Sequence, residues 1–243
     1  RPGAGVCPVR GHSNVQGDRT VGINHHPSES FLSAIDNEFG ITSPRNSGVD
    51  TVQLIQGALE KEFDVLLCMG GNLLSAMSDT KTTAKAISNI GLTVQISTKL
   101  NRSHLVTGKQ ALILPCLGRT EIDQQESGNQ FVSVENSMGI VHSSTGGLKP
   151  ASKFLKSEVA ITCSLGNALF GTSPINWSSF TTDYDLIRDS IQRVIPGFDE
   201  YNRRVREEGG FYLPNGPRDG PIWKTSSGSA EFISDKLTTI DNS

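Results

Sequence analysis

The sequence lacks any window of 18 consecutive apolar residues, so no segment is expected to span a membrane as a helix. It also lacks a secretory signal pattern and begins at Arg1-Pro2-Gly3 without an initiator methionine, which raises the expectation of processing or of excision from something longer. Cysteine is scarce: Cys7, Cys68, Cys116 and Cys163 stand far apart with no CxxC pair. That spacing argues against a disulfide framework, and a reducing compartment, the cytoplasm, is the default expectation. No long basic cluster occurs and the net charge is -3. The densest basic stretch, Arg203-Arg204-Val205-Arg206, runs straight into Glu207-Glu208 and reads as a solvated helix end, so nucleic acid is not an expected partner. Three fingerprints are missing as well: GxGxxG, GxxxxGK[ST] and GxSxG. His25-His26 has no third ligand at metal spacing, and His104 and His142 are isolated, so no protein-ligated metal is expected.

What is present is a chain of 243 residues, long enough for one large domain or two small ones with a hydrophobic core. Apolar residues make up 35% and charged residues 19%, while 28 Ser, 25 Gly and 11 Pro point to many loops around a modest core. Residues 1–49 read as an irregular segment with one helix over 29–39, striped by Phe31, Leu32, Ile35 and Phe39. Regular patterning starts at Asp50, which can cap a helix to about residue 62. A buried strand over 63–69 follows and ends in the tight turn Gly70-Gly71-Asn72. A helix is expected over 78–89, strands over 92–97 and 111–115, and a short helix within 100–109.

Residues 116–157 read mostly as loop, with short strand pieces at 131–134 and 140–142. Residues 158–163 fit either a fourth strand or the start of a buried helix. A helix over 183–194 carries Tyr184, Ile187, Ile191 and Val194 on one face, and a shorter one carries Phe198, Tyr201 and Val205. Residues 208–243 form a Gly/Pro-rich tail. Helices alternating with short apolar strands over 50–207 indicate an α/β class, Rossmann-like, with a largely parallel sheet, flanking helices and irregular terminal segments.

In such sheets ligands bind beyond the carboxyl ends of the strands. That rule selects Gly70, Gly71 and Asn72, then Ser97, Thr98 and Lys99, then the loop after Pro115. Two glycines let backbone approach a ligand closely, and an Asn amide both donates and accepts, which suits a nucleotide or another planar polar group. The same residues also fit a plain strand-to-helix turn. Ser97 and Thr98 with a lysine can hold phosphate or ribose, or simply cap the following helix. The segment from Gly5 to Asp18 packs Arg10, His12, Asn14, Gln16 and three glycines into a short loop. Arg10 offers a planar cation for a carboxylate or another oxyanion, and His12 can move a proton near neutral pH.

The stretch Arg1-Pro2-Gly3-Ala4-Gly5-Val6-Cys7-Pro8-Val9-Arg10-Gly11-His12-Ser13-Asn14-Val15-Gln16-Gly17 closely resembles a segment of molybdopterin-dependent oxidoreductases, nearest to formate dehydrogenase alpha subunits and a formate-dehydrogenase-like branch. Cys68-Met69-Gly70-Gly71-Asn72, Leu112-Ile113-Leu114-Pro115, Phe131 to Gly139 and Thr225 to Phe232 resemble further segments of that family. The resemblance implies a bis-(molybdopterin guanine dinucleotide) cofactor with Mo or W, with an iron–sulfur cluster in a part upstream of this chain. It implies that Arg10 orients a small oxyanion substrate such as formate, with His12 standing where the family has Gln. It implies that Gly70, Gly71 and Asn72 contact a guanine nucleotide, with Ser97 and Thr98 serving the same ligand. It makes 50–207 the cofactor domain, 1–49 an active-site segment and 208–243 a linker toward a further C-terminal domain, and it makes an electron-acceptor protein or subunit a natural partner. Such enzymes are longer than this chain, so the chain reads as an internal portion, inactive by itself. Met138 before Gly139 departs from the family's Arg-Gly pair, and Cys7 does not match its metal-ligating residue. Two other readings stay open: the nucleotide-binding middle domain of a thiamine-diphosphate-type enzyme, and a non-enzymatic nucleotide-binding module.

Overall fold

The computed structural model describes residues 14–220 and 222–234. Helix α1 (Val15–Thr20) follows Asn14, whose backbone is left-handed at φ 61°. Helix α2 (Glu29–Phe39) is capped by Ser28, which accepts from the Phe31 amide. Helix α3 (Thr51–Glu60) begins with a reciprocal capping box: Asp50 accepts from the Gln53 amide and Gln53 accepts from the Asp50 amide. Strand β1 (Val65–Met69), the short helix α4 (Leu73–Ala76), helix α5 (Thr80–Asn89) and strand β2 (Leu92–Ser97) come next. A single 3₁₀ turn (Arg102–Leu105) then leads to strand β3 (Gln110–Pro115).

These three strands form a parallel sheet in the order β1-β2-β3. The register pairs Val65 with Leu92, Leu67 with Val94 and Leu112, and Met69 with Ile96 and Leu114. Side chains alternate between faces along a strand. One face therefore carries Leu66, Thr93, Cys68, Gln95 and Ile113. Leu66 packs on the cluster of Ile55, Ala58, Ala86 and Ile90 that α3 and α5 supply. The other face carries Val65, Leu67, Met69, Leu92, Val94, Ile96, Leu112 and Leu114, with Gln110 at the start of β3, and borders helix α6, described next.

The second half holds more strand than the mostly-loop reading of 116–157, and the strand pieces expected at 131–134 and 140–142 are both present. Strands β4 (Asp123–Gln125) and β5 (Gly128–Gln130) make a hairpin, and β6 (Val132–Glu135) pairs antiparallel with β7 (Ile140–Ser144). Residues 158–163 resolve as helix: α6 (Glu158–Phe170) is capped by Ser157, which accepts from the Ala160 amide. Helices α7 (Trp177–Thr182), α8 (Asp185–Val194) and α9 (Tyr201–Arg204) follow. Strand β8 (Phe211–Tyr212) joins β7, so the start of the tail belongs to this second sheet, and α10 (Gly216–Asp219) is a last helical turn. The second core gathers Val141, Phe198, Tyr201, Val205 and Phe211, with the three rings 4.6 to 6.0 Å apart. Burying each of these rings contributes about 1.5–3 kcal/mol. Among the described residues no helix is long and apolar enough to cross a membrane.

The fold is thus α/β, with a parallel three-stranded sheet flanked by helices, as the periodicity predicts. The segment before Asp50 carries two helices, α1 and α2, rather than one. Helix α2 is tied to α8 by Arg193, whose Nε and Nη2 donate to Glu38 at 2.7 and 2.5 Å.

Candidate functional site

Two places draw polar side chains together around backbone that sequence patterning singles out. The first lies at the carboxyl ends of β1 and β2. Gly70 and Gly71 both have positive φ, 66° and 73°, a conformation that costs an L-residue roughly 1–2 kcal/mol. A Cβ placed on either would meet nothing within 4 Å, so the backbone here is open to close approach by another molecule. The Gly70 amide donates to the Ile96 carbonyl at 2.8 Å, which sets the turn beside the end of β2.

The turn after β2 fastens this loop. Asn101 Nδ2 donates to the Gly71 carbonyl at 2.7 Å, and Ser103 Oγ donates to Asn72 Oδ1 at 2.9 Å. Ser103 Oγ also accepts from the Leu74 amide, and Gln95 Nε2 donates to the Ser103 carbonyl at 2.7 Å. His104 Nδ1 lies 3.0 Å from the Asn101 amide and 3.2 Å from Asn101 Oδ1, and Nε2 is the other ring nitrogen. That Nε2 is buried with no hydrogen-bond partner among the described residues. Ser97 is half-buried and its Oγ donates to the Lys99 carbonyl at 3.3 Å, while Thr98 and Lys99 are exposed. The structure therefore brings Gly70, Gly71 and Asn72 alongside Ser97 and Thr98. It adds Asn101, Ser103 and His104, which sequence reasoning left inside a short helix. The Asn-x-Ser spacing is the signal that could have found them, because such side chains bond backbone locally.

The second place anchors the N-terminal segment. Arg10 and His12 lie outside the described residues, as does Cys7. The chain is described from Asn14, whose Oδ1 accepts from the Glu135 amide at 2.9 Å. Gln16 Nε2 donates to Glu135 Oε1 at 2.6 Å and Thr20 Oγ1 donates to Glu135 Oε2 at 2.5 Å. Glu135, buried at the end of β6, thus clasps α1 directly after the Arg10–His12 stretch. Nothing in the sequence marks it. The β6–β7 turn carries Met138 and Gly139, and a Cβ at Gly139 would lie 3.9 Å from Gln16 Nε2, Glu135 Oε1 and Arg218 Nη1.

Acidic and thiol groups near this clasp are shifted by burial. The Asp18 carboxyl is raised by burial, with Arg19 pulling the other way. Glu158, at the start of α6, is raised by burial and then by the Asp18 charge. Cys116 is pushed up to about 11 by burial and then by Glu158 and Glu121, which keeps it a neutral thiol. Burial raises Cys68 on β1 as well. Among the described residues no group of three or more His, Cys, Asp or Glu side chains is placed to hold a metal ion.

No protein-family model matches the chain. Curated relatives do. A protein of Mycobacterium tuberculosis named "Uncharacterized oxidoreductase" is 55% identical over 241 residues, covering 99% of this chain and 31% of its own length. Protein YdeP of Escherichia coli is 46% identical over 236 residues, covering 97% of this chain and 31% of its own length. A Staphylococcus aureus protein named "Putative formate dehydrogenase" is 28% identical over 78 residues, covering 29% of this chain and 8% of its own length. The chain spans just under a third of the length of the first two relatives, and its likeness to a protein named oxidoreductase runs through nearly all of it.

Proposed function

We propose that this chain is a cofactor-holding portion of a molybdopterin-dependent oxidoreductase of the formate dehydrogenase type, which removes two electrons from a small oxyanion such as formate. The observation that carries the reading is the loop pair at the carboxyl ends of β1 and β2. There a left-handed diglycine with no atom within 4 Å of a Cβ on either residue precedes Asn72, and the Gly70 amide ties it to the end of β2, which runs on into Ser97 and the exposed Thr98 and Lys99. Neutral hydrogen-bonding groups plus one cation are the donor set that a guanine edge, a ribose and a phosphate require. These residues fit the nucleotide end of bis-(molybdopterin guanine dinucleotide). The end-to-end relative named oxidoreductase and the shorter match to a protein named formate dehydrogenase support the same reading.

In this reading Gly70, Gly71 and Asn72 hold the guanine, and Ser97 and Thr98 hold its ribose or phosphate. Arg10 binds the substrate anion through its planar fork, and His12 holds or moves a proton beside it. The Glu135 clasp fixes where the Arg10–His12 stretch rejoins the fold. When bound, the dithiolene-held Mo or W supplies the redox chemistry, and the protein supplies orientation and charge. An electron-acceptor protein or subunit takes the electrons onward.

The test is elemental mass spectrometry for Mo and W on the protein expressed from its complete reading frame in its own host. Near-stoichiometric metal supports the reading and makes Arg10→Ala, with loss of formate oxidation, the next step. Absence of metal in a host that loads its other molybdoenzymes would leave a non-enzymatic nucleotide-binding module as the better account.

A further inference from the structure

A large apolar groove lies on the opposite face of the parallel sheet from α3 and α5. It is a groove of about 910 Å³ between the sheet and α6, floored by strand residues such as Val65, Leu67 and Leu112 and walled by Ile161 and Leu165. Val65 is 59% exposed and Leu112 51% exposed, and Phe154 at the rim is 81% exposed. Parallel sheets are covered on both faces, because their strands are apolar on both sides and crossover helices lie above and below. Here α6 covers the second face only in part: Ile96 on the central strand is buried, while Val65, Leu67 and Leu112 on the flanking strands stay exposed, and β1 and β3 are both edge strands among the described residues.

We infer that this groove is an interdomain seat. Its occupant is an amphipathic helix with an aliphatic stripe, supplied by polypeptide of the same protein outside these 243 residues. Two observations select that occupant. First, the relatives that match this chain from end to end carry more than twice its length again outside the match, so covering sequence exists in them in quantity. Second, the surface is concave. A twofold interface between copies must be self-complementary, and a groove walled on one side by a helix is complementary to a ridge rather than to another groove. A helix with its side chains is about 10–12 Å across, the thickness of one layer on a sheet. This inference concerns packing and does not rest on the cofactor reading.

The test uses the protein expressed from its complete reading frame. Leu112→Cys and, separately, Val52→Cys on the solvent face of α3 are treated with a maleimide, and labelled peptides are quantified by mass spectrometry. Position 112 is expected to label at least tenfold more slowly than position 52. Photo-leucine at position 112, close in size to the native side chain, is then activated and its cross-link mapped. A cross-link within one molecule to a helical segment outside residues 1–243 supports the inference. A cross-link between two copies, a cross-link back onto residues 1–243, or fast labelling at position 112 with no cross-link would each overturn it.

Discussion

Glu135→Ala tests how the N-terminal segment is held. The wild-type carboxylate accepts from Gln16 and Thr20 at 2.6 and 2.5 Å, and it lies 7% exposed at the end of β6. A hydrogen bond to a carboxylate contributes about 1.5–3 kcal/mol net. Both are lost on truncation, and part of that loss returns because the freed donors of α1 can reach water. The expected weakening of α1 docking is therefore about 3 kcal/mol, or on the order of 100-fold in its opening equilibrium. A six-residue helix has no stability of its own, so α1 unfolds once released. Native-state amide exchange reads this directly, because the Asp18, Val21 and Ile23 amides donate within the α1 turn. Those three amides should exchange about 100-fold faster while the amides of β2 hold their protection. Glu135→Gln, which keeps one acceptor, should fall between wild type and Glu135→Ala. Unchanged exchange at Asp18, Val21 and Ile23 would refute the clasp. A uniform acceleration across β2 as well would show that Glu135 supports the whole fold rather than this segment.

Three further outcomes are expected. Gly166→Ala places a methyl 2.6 Å from the Trp177 ring, so thermal unfolding should show a loss of about 1–3 kcal/mol; an unchanged Tm would mean that α6 and α7 shift apart freely. Arg188→Met removes a buried guanidinium that donates to Asn202 and the Phe131 carbonyl, pairs with Asp185 and stacks on Phe131 at 4.0 Å, and denaturant titration should register a loss of about 3–5 kcal/mol. A loss below about 1 kcal/mol would mean that Arg206, which also pairs with Asp185, carries the site alone. Glu158 has its folded-state pKa raised above the ordinary 4.5, so the native state binds its proton more tightly than the unfolded chain. Stability from this group is present below 4.5 and is lost as pH rises through the folded value. The Tm advantage of Glu158→Gln over wild type should therefore widen from pH 4 to pH 7, and a gap that stays constant between them would contradict the shift.

Much of the first sheet was legible because its signals are local. The Asp50 cap, the aliphatic run before Gly70-Gly71 and the run over Leu92–Ser97 each announce an element within a few residues. The second sheet was legible only in part, for the opposite reason. Strands β6 and β7 are near neighbours in sequence and their apolar pieces show, but β8 has only two residues and becomes a strand by pairing with β7 across more than 60 residues of chain. Residues 158–163 were ambiguous because a short apolar run has no period of its own. Helix wins there through Ser157, which accepts from the Ala160 amide while bonding Tyr184 at 2.6 Å, and through the close seat of Trp177 on Gly166.

The candidate site divides along the same line. Sequence alone determined that two glycines and an asparagine close an apolar strand, because only glycine enters two successive left-handed positions without strain; that β1 is a half-exposed edge strand rather than a buried one was decided by its place in the sheet. Tertiary structure decided what stands around them. Asn101 and Ser103 reach the loop because β2 lies beside β1, and Glu135 reaches α1 across 115 residues of chain because β6 runs beneath it. Periodicity reports which face of an element is apolar, since that is a property of consecutive residues. It carries no information about which polar groups from distant segments meet, because that depends on how whole elements stack.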